Sequence, residues 1–157
     1  MAFATDDSGT AMVSILYNSS IFFAKYLAGP PSSNIFSGFI YYEDNHTFFI
    51  PEKTSKEIKI FLSDDLKLKQ SKKITITIRP EEIILSPKKM DFTSARNCFK
   101  GKIIEIIENL SSNVKVVLDC GIRITAVITR TSKKKLDIKE GKEMCAVFKA
   151  SSVYIID

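Results

Sequence analysis

The chain has no tryptophan, one histidine, three cysteines and no long apolar run. Each shortage removes a class of function. A membrane-spanning helix needs about twenty consecutive apolar residues, and the best run here, 21–28, is broken by Lys25. The first residues lack a basic segment followed by an apolar core, so no secretory signal is expected. The phosphate loop G-x-x-x-x-G-K-[ST] occurs nowhere, which excludes P-loop nucleotide chemistry within these 157 residues. His46 sits in a polar turn beside Glu43 and Asp44 and has no nucleophile to serve. Cys98, Cys120 and Cys145 are odd in number and lack C-x-x-C spacing. They read as small apolar packers in a reducing compartment, not as a disulfide frame or a zinc site. We therefore expect no catalytic residue, no metal site, no cofactor and no enzyme activity in this chain.

What is present is an ordinary globular composition, 45% apolar and 26% charged. A chain of this length is one domain or two very small ones, and it can bury roughly two-thirds of its unfolded surface. The net charge of +5 suits an anionic partner, and equally a Lys-rich surface. Eleven Phe and five Tyr supply the aromatic packing.

The most informative feature is an internal repeat. Asn34-Ile35-Phe36-Ser37-Gly38-Phe39-Ile40 returns as Asn97-Cys98-Phe99-Lys100-Gly101-Lys102-Ile103, 63 positions on, with the shared pattern N-x-F-x-G-x-I. Ile78-Arg79-Pro80-Glu81-Glu82-Ile83-Ile84 aligns with Phe148-Lys149-Ala150-Ser151-Ser152-Val153-Tyr154, 70 positions on. Each copy closes on a cation and a short apolar strand. Such self-similarity predicts two related lobes with sites in the seam between them.

Between these landmarks, 19–28 reads as a short helix stopped by Gly29-Pro30-Pro31. From Asn34 the period changes to two. Strands are expected at 36–42, 47–50, 58–62 and 73–79, with a hairpin turn at 43–46. In the fourth, Ile74, Ile76 and Ile78 take one face, and Thr75, Thr77 and Arg79 form a wet one. After a linker at 86–91, strands are expected at 99–108, 113–119, 122–129, 143–149 and 153–156. Thr131 is expected to cap a short helix running to Leu136. Five strands with a helix between the third and fourth is the order of a small OB-type barrel. In the second lobe Val117, Val127, Cys145 and Val147 make the outer face apolar too. Cover by the first lobe or by a second chain is predicted.

Two segments carry candidate chemistry. Thr93-Ser94-Ala95-Arg96-Asn97 offers close backbone N–H approach, a hydroxyl and a planar guanidinium fork. Lys149-Ala150-Ser151-Ser152-Val153 offers a cation and two hydroxyls at a strand break. A tetrahedral oxyanion needs many neutral donors and few full charges, which these segments supply. Such breaks also read as turns with local side-chain-to-backbone bonds. Lys133-Lys134-Lys135 reads as a solvated helix face.

These residues carry a resemblance. Ser94-Ala95-Arg96-Asn97 with Phe99-Lys100-Gly101, then Thr125-Ala126-Val127-Ile128-Thr129, Ile138-Lys139-Glu140-Gly141 and Phe148-Lys149-Ala150-Ser151-Ser152-Val153 resemble the Mop (molybdate/tungstate-binding) domain over 93–156. Ile15-Leu16-Tyr17-Asn18, Phe22 to Gly29, Asn34-Ile35-Phe36-Ser37-Gly38 and Ile78-Arg79-Pro80-Glu81 are similar to the region where ABC importer ATPases enter their transport-associated OB (TOBE) segment. The resemblance implies an all-β chain of two tandem OB-like (TOBE/Mop) lobes with short helices. Residues 1–33 would be a tail and helix similar to the end of an ABC ATPase domain, 34–88 the first lobe, and 93–157 the second, oxyanion-binding lobe. It implies an oxyanion held by Ser94, Ala95, Arg96, Asn97, Lys149, Ala150, Ser151 and Ser152. Pro80-Glu81-Glu82 in the first lobe would repel an anion, so binding from the second lobe alone is expected. The implied role is regulatory: cytoplasmic molybdate or tungstate bridges two such domains and inhibits an importer. The implied partners are a second copy of the chain and the transporter's ATPase and permease subunits. The implied location is the cytoplasmic face of the membrane. The rival reading is an OB-fold nucleic-acid-binding protein, drawing on the same fold, the positive charge and the Lys cluster. Against it, the Phe residues fall in strand-core register and not on a stacking platform.

Overall fold

The computed structural model describes residues 34–156, except 55–56, 65, 67–70 and 109–111. The helix expected over 19–28, and the 1–33 segment as a whole, lie outside the described residues. The fold is all-β, two OB-like lobes built on antiparallel five-stranded sheets. In chain order the elements are β1 (Asn34–Glu43), β2 (His46–Pro51), β3 (Ile60–Phe61), β4 (Lys73–Ile78), a 3-10 turn Pro80–Glu82, β5 (Ile84–Ser86), β6 (Asn97–Glu108), β7 (Asn113–Asp119), β8 (Arg123–Thr129), α1 (Arg130–Lys135), β9 (Glu143–Phe148), a 3-10 turn Ala150–Ser152 and β10 (Val153–Ile155).

The first sheet runs β10-β4-β1-β2-β3 and the second β5-β9-β6-β7-β8. The orders correspond strand for strand, and each sheet takes an outer strand from the other repeat. Ile84 pairs with Val147 and Leu85 with Ala146. Tyr154 pairs with Thr77 and Ile155 with Ile76. Shifting the first set by the 70-residue offset reproduces the second, so the exchange is reciprocal. It is a two-fold, self-complementary interface made within one chain. Each range, 34–88 and 93–157, thus holds one repeat but not one sheet. The exchanged strands are held by burial: Ile83, Leu85 and Val153 are all under 9% exposed, and each such side chain contributes roughly 1.5–3 kcal/mol. A single core cluster runs through both sheets, from Ile40, Phe49 and Ile76 to Ile103, Leu118 and Phe148.

The repeated motif explains itself in three dimensions. β1 and β6 each pair with two partners and must bend between them. β6 bends at a bulge where Ile103 faces Leu118 but Glu105 faces Val117. Gly38 and Gly101 sit at these bends. A Cβ on Gly101 would lie 2.5 Å from the Asp119 carbonyl oxygen, and one on Gly38 would lie 2.7 Å from the Phe49 ring. Both positions therefore need glycine for close approach.

The repeated asparagines are clamps. Asn34 is buried, and its Oδ1 accepts from Thr125 N–H at 2.6 Å. Its Nδ2 donates to the carbonyls of Thr125 (2.8 Å) and Ile78 (3.1 Å). Asn97 repeats the act on the other side: Oδ1 accepts from Phe61 N–H at 2.8 Å and Nδ2 donates to Phe61 C=O at 3.0 Å. Thr125 and Phe61 lie on β8 and β3, the outer strands of their sheets. Each asparagine satisfies the outward backbone groups of the other repeat's edge strand, which would otherwise be open to foreign pairing.

Two expectations need correction, on Thr77 and on the helix cap, and two are met. Thr77 is 2% exposed, not on a wet face, because β10 makes β4 an interior strand and sets Tyr154 opposite Thr77. The cap of α1 is Thr129, not Thr131. Thr129 keeps the extended backbone of a strand end, and its Oγ1 accepts from Ser132 N–H at 3.1 Å. The outer-face residues Val117, Cys145 and Val147 are buried within the single chain, with Val127 half-buried. No disulfide joins the three cysteines, and two of them are buried, as small packers would be.

Candidate anion-binding site

The β6–β9 register sets Asn97 opposite Phe148. One residue beyond, Arg96 and Lys149 leave the same end of that strand pair. The segment before Arg96 holds Ser94 and Ala95, and the segment after Lys149 is the Ala150–Ser152 turn. The two candidate segments, 53 residues apart from Arg96 to Lys149, are thus brought side by side by one strand ladder.

Within this cluster Ser94, Lys149 and Ser151 are exposed, Ala95 and Arg96 half-buried, and Ala150 and Ser152 buried. Ala95 N–H donates to Thr93 Oγ1 at 3.3 Å, a local turn bond. Ser152 N–H donates to Lys149 C=O at 3.1 Å and Val153 N–H to Ala150 C=O, which fixes the turn. Both ends of the Asn97 amide are engaged by Phe61, so this side chain anchors the segment. The Arg96 guanidinium lies 4.4 Å from the Phe61 ring centroid and donates from Nη1 to Asp64 Oδ2 at 2.9 Å. The chemistry assembled is a planar fork, a mobile ammonium and several hydroxyls, a donor set suited to a compact oxyanion.

Phe61 and Asp64 come from the first repeat and were not among the sequence candidates. Spacing carries no signal for a pair 32 residues apart. The usable clue was the repeated asparagine, since an Asn that clamps an edge strand brings its neighbour Arg96 against the same strand.

The corresponding turn of the first repeat has the same backbone and different chemistry. Arg79 and Lys149 cap the two turns with nearly equal dihedrals, φ −68 and ψ 130 against φ −75 and ψ 150. Glu82 stands where Ser152 stands, and its Oε1 accepts from Tyr154 O–H at 2.9 Å. The Arg79 guanidinium is 5.0 Å over the Tyr154 ring. Burial, and then the Glu82 carboxylate, hold the Tyr154 phenol above its ordinary pKa. A cleft of about 380 Å³ lies elsewhere, at the far end of β6 from Arg96, lined by Glu108, Arg130, Lys133 and Lys134. There Lys133 pairs with Glu108, which keeps that carboxyl below its usual range. Lys134 and Lys135 are solvated, as expected. Among the described residues no group of three metal-ligating side chains occurs, and no helix is long and apolar enough to cross a membrane.

Comparison with known proteins gives this arrangement a family. The TOBE domain model matches residues 93–155, which run from the first candidate segment to the end of the exchanged β10. Molybdenum-pterin-binding protein 3 of Clostridium pasteurianum is 38% identical over 65 residues, covering 40% of this chain and 94% of that protein. The chain belongs to the TOBE/Mop family. The molybdate/tungstate import ATP-binding protein WtpC of Pyrococcus horikoshii is 44% identical over 84 residues, 53% of this chain and 24% of that protein. The TOBE/Mop chain thus spans about a quarter of the importer ATPases it matches. The cytoplasmic molybdate-binding protein ModG shares the fold, with a TM-score of 0.62 at 22% identity over 80% of this chain and 96% of ModG. The nucleic-acid alternative is not favoured: Phe49 and Phe148 are core residues, and among the described residues Phe92 is the one fully exposed phenylalanine.

Proposed function

We propose that this chain binds molybdate or tungstate at the end of the β6–β9 pair, and that it does so as the regulatory part of an importer ATPase. The observation that carries the reading is the convergence of Ser94-Ala95-Arg96 with Lys149-Ala150-Ser151-Ser152 on one strand end. Relatives of this chain are named as molybdenum-pterin-binding proteins and as molybdate/tungstate import ATP-binding proteins. Arg96 and Lys149 supply charge. Ser94, Ser151 and Ser152, with backbone N–H groups near Ala95 and Ala150, supply neutral donors. Asn97 holds the segment against the first sheet. In this reading bound oxyanion, a second copy of the chain and the importer's ATPase and permease subunits are coupled. Oxyanion binds one state of the assembly better and so shifts it towards the inhibited state. The protein then works at the cytoplasmic face of the membrane.

Isothermal titration of molybdate, tungstate, sulfate and phosphate into the purified chain tests the ligand. Charge-assisted hydrogen bonds contribute roughly 1.5–3 kcal/mol each, so Arg96→Ala is expected to weaken binding about ten- to a hundredfold. Arg96→Lys recovers part of that loss, because an ammonium lacks the planar fork. Lys133→Ala, paired with Glu108 at the other end of β6, leaves affinity unchanged. Equal affinities for all four proteins would refute the site.

A further inference from the structure

The Arg96 guanidinium is engaged within the chain itself. Its Nη1 is bonded to Asp64 Oδ2 at 2.9 Å and its plane rests on Phe61. Both partners belong to the first repeat, whose own turn offers Glu82 in place of a hydroxyl. Asp64's other oxygen faces His46 Nδ1 at 3.6 Å, too far for a hydrogen bond. Arg96 is thus hydrogen-bonded to this carboxylate, and His46 is not. The His46 ring packs edge-on against Phe61, 6.1 Å between centroids, and closes the far side of the cluster.

We infer that Asp64 is a specificity-determining latch: an internal carboxylate that an incoming oxyanion must displace from Arg96. This rests on the reading of Arg96 as an oxyanion donor. A carboxylate and a tetrahedral oxyanion both present paired oxygens to a guanidinium fork, so they compete for the same donors. Asp64 also repels a dianion through its own charge. The latch sets a threshold. A doubly charged oxyanion with four acceptor oxygens can replace the carboxylate, whereas a monoanion with one acceptor cannot. The first repeat so acts on the second repeat's site without supplying a donor to it.

The opposite role, a brace that preorganises Arg96 for the ligand, predicts the opposite sign, which makes the inference testable. Sodium molybdate is titrated calorimetrically into the unmodified chain, Asp64→Asn, Arg96→Ala and the double variant. Exposed ion pairs contribute roughly 0.2–1 kcal/mol, so releasing this half-exposed one should tighten molybdate binding by about 1.4- to fivefold in Asp64→Asn. The gain must vanish in the Arg96→Ala background, since Asp64 acts through Arg96. Glu43→Gln, which removes a carboxylate at the end of β1 paired with Lys59, should change nothing. Chloride at rising concentration should compete better against molybdate in Asp64→Asn than in the unmodified chain. Unchanged or weaker binding in Asp64→Asn, or a gain that persists without Arg96, overturns the latch while leaving the oxyanion reading standing. Failure of both the unmodified chain and Asp64→Asn to bind molybdate overturns the two together.

Discussion

Removing the Asn34 side chain is the sharpest test of how the two repeats are joined. Asn34→Ala strips Thr125 of a donor to its carbonyl at 2.8 Å and an acceptor for its N–H at 2.6 Å. Thr125 is 3% exposed, so water cannot replace either partner. A buried backbone group left unsatisfied costs about 1–3 kcal/mol, and two such groups give an expected loss of about 2–6 kcal/mol. The third bond, to Ile78 C=O, adds less, because that carbonyl retains a second lone pair. Asn97→Ala removes the matching pair at Phe61, which is half-buried and open to hydration, so its expected cost is about 1–2 kcal/mol. Asn34→Asp should be no milder than Asn34→Ala, since a carboxylate cannot donate to the two carbonyls it would face. Equilibrium unfolding in urea measures the totals, and amide exchange localises them. Asn34→Ala should speed exchange at Thr125 and spare Phe61, and Asn97→Ala should do the reverse. A cost below about 0.5 kcal/mol for Asn34→Ala, the range of ordinary surface changes, would refute the clamp.

Two further outcomes follow from single positions. Gly101→Ala forces a Cβ to 2.5 Å from the Asp119 carbonyl oxygen and into Cys120 Sγ; overpacking of this kind costs about 1–3 kcal/mol. Gly141→Ala meets no atom but sits at φ +82, so its cost is only the left-handed strain of roughly 1–2 kcal/mol, and urea midpoints should rank the two. Tyr154 has its phenol pKa raised first by burial and then by Glu82. Below the unfolded value of about 10 both states keep the proton and its contribution to stability is intact. As pH climbs from there towards the raised folded value, the unfolded phenol ionises first and that stability is lost. Phenolate absorbance should lose a late-titrating component in Tyr154→Phe, and the same substitution should flatten the alkaline fall in stability.

The repeat made much of the fold legible. Asn34 and Asn97, and Gly38 and Gly101, mark equal places because the same backbone problem recurs: a bent first strand and an edge to be clamped. Period-two patterning located most of the strands. The exchange of β5 and β10 was not legible. A three-residue strand such as Ile84–Ser86 carries too little pattern to say which sheet it joins, and only tertiary pairing decides. The wet-face reading of Thr77 failed for the same reason, since Tyr154 arrives opposite it from 77 residues away. At the candidate site, local composition singled out the two donor segments, and the ladder between β6 and β9 joined them. The acid that meets Arg96 was invisible, because neither Asp64 nor Phe61 belongs to a motif.

The two 3-10 turns show what such a duplicated frame leaves free. Each is fixed by backbone bonds: Glu82 N–H to Arg79 C=O at 3.0 Å in one, Ser152 N–H to Lys149 C=O at 3.1 Å in the other. Neither uses a side chain as cap. The frame therefore holds whatever stands at these positions, and charge can diverge without cost to the turn. One copy has diverged to a carboxylate engaged by Tyr154 from the exchanged strand. The other keeps hydroxyls beside an arginine held by the opposite repeat. The reciprocal strands and clamps tie the copies into one core, and Arg96 of the second repeat rests on Phe61 of the first repeat's edge strand. A chemically asymmetric pair on a symmetric frame leaves cations and hydroxyls at one end of one strand ladder and a carboxylate at the matching place in the other repeat.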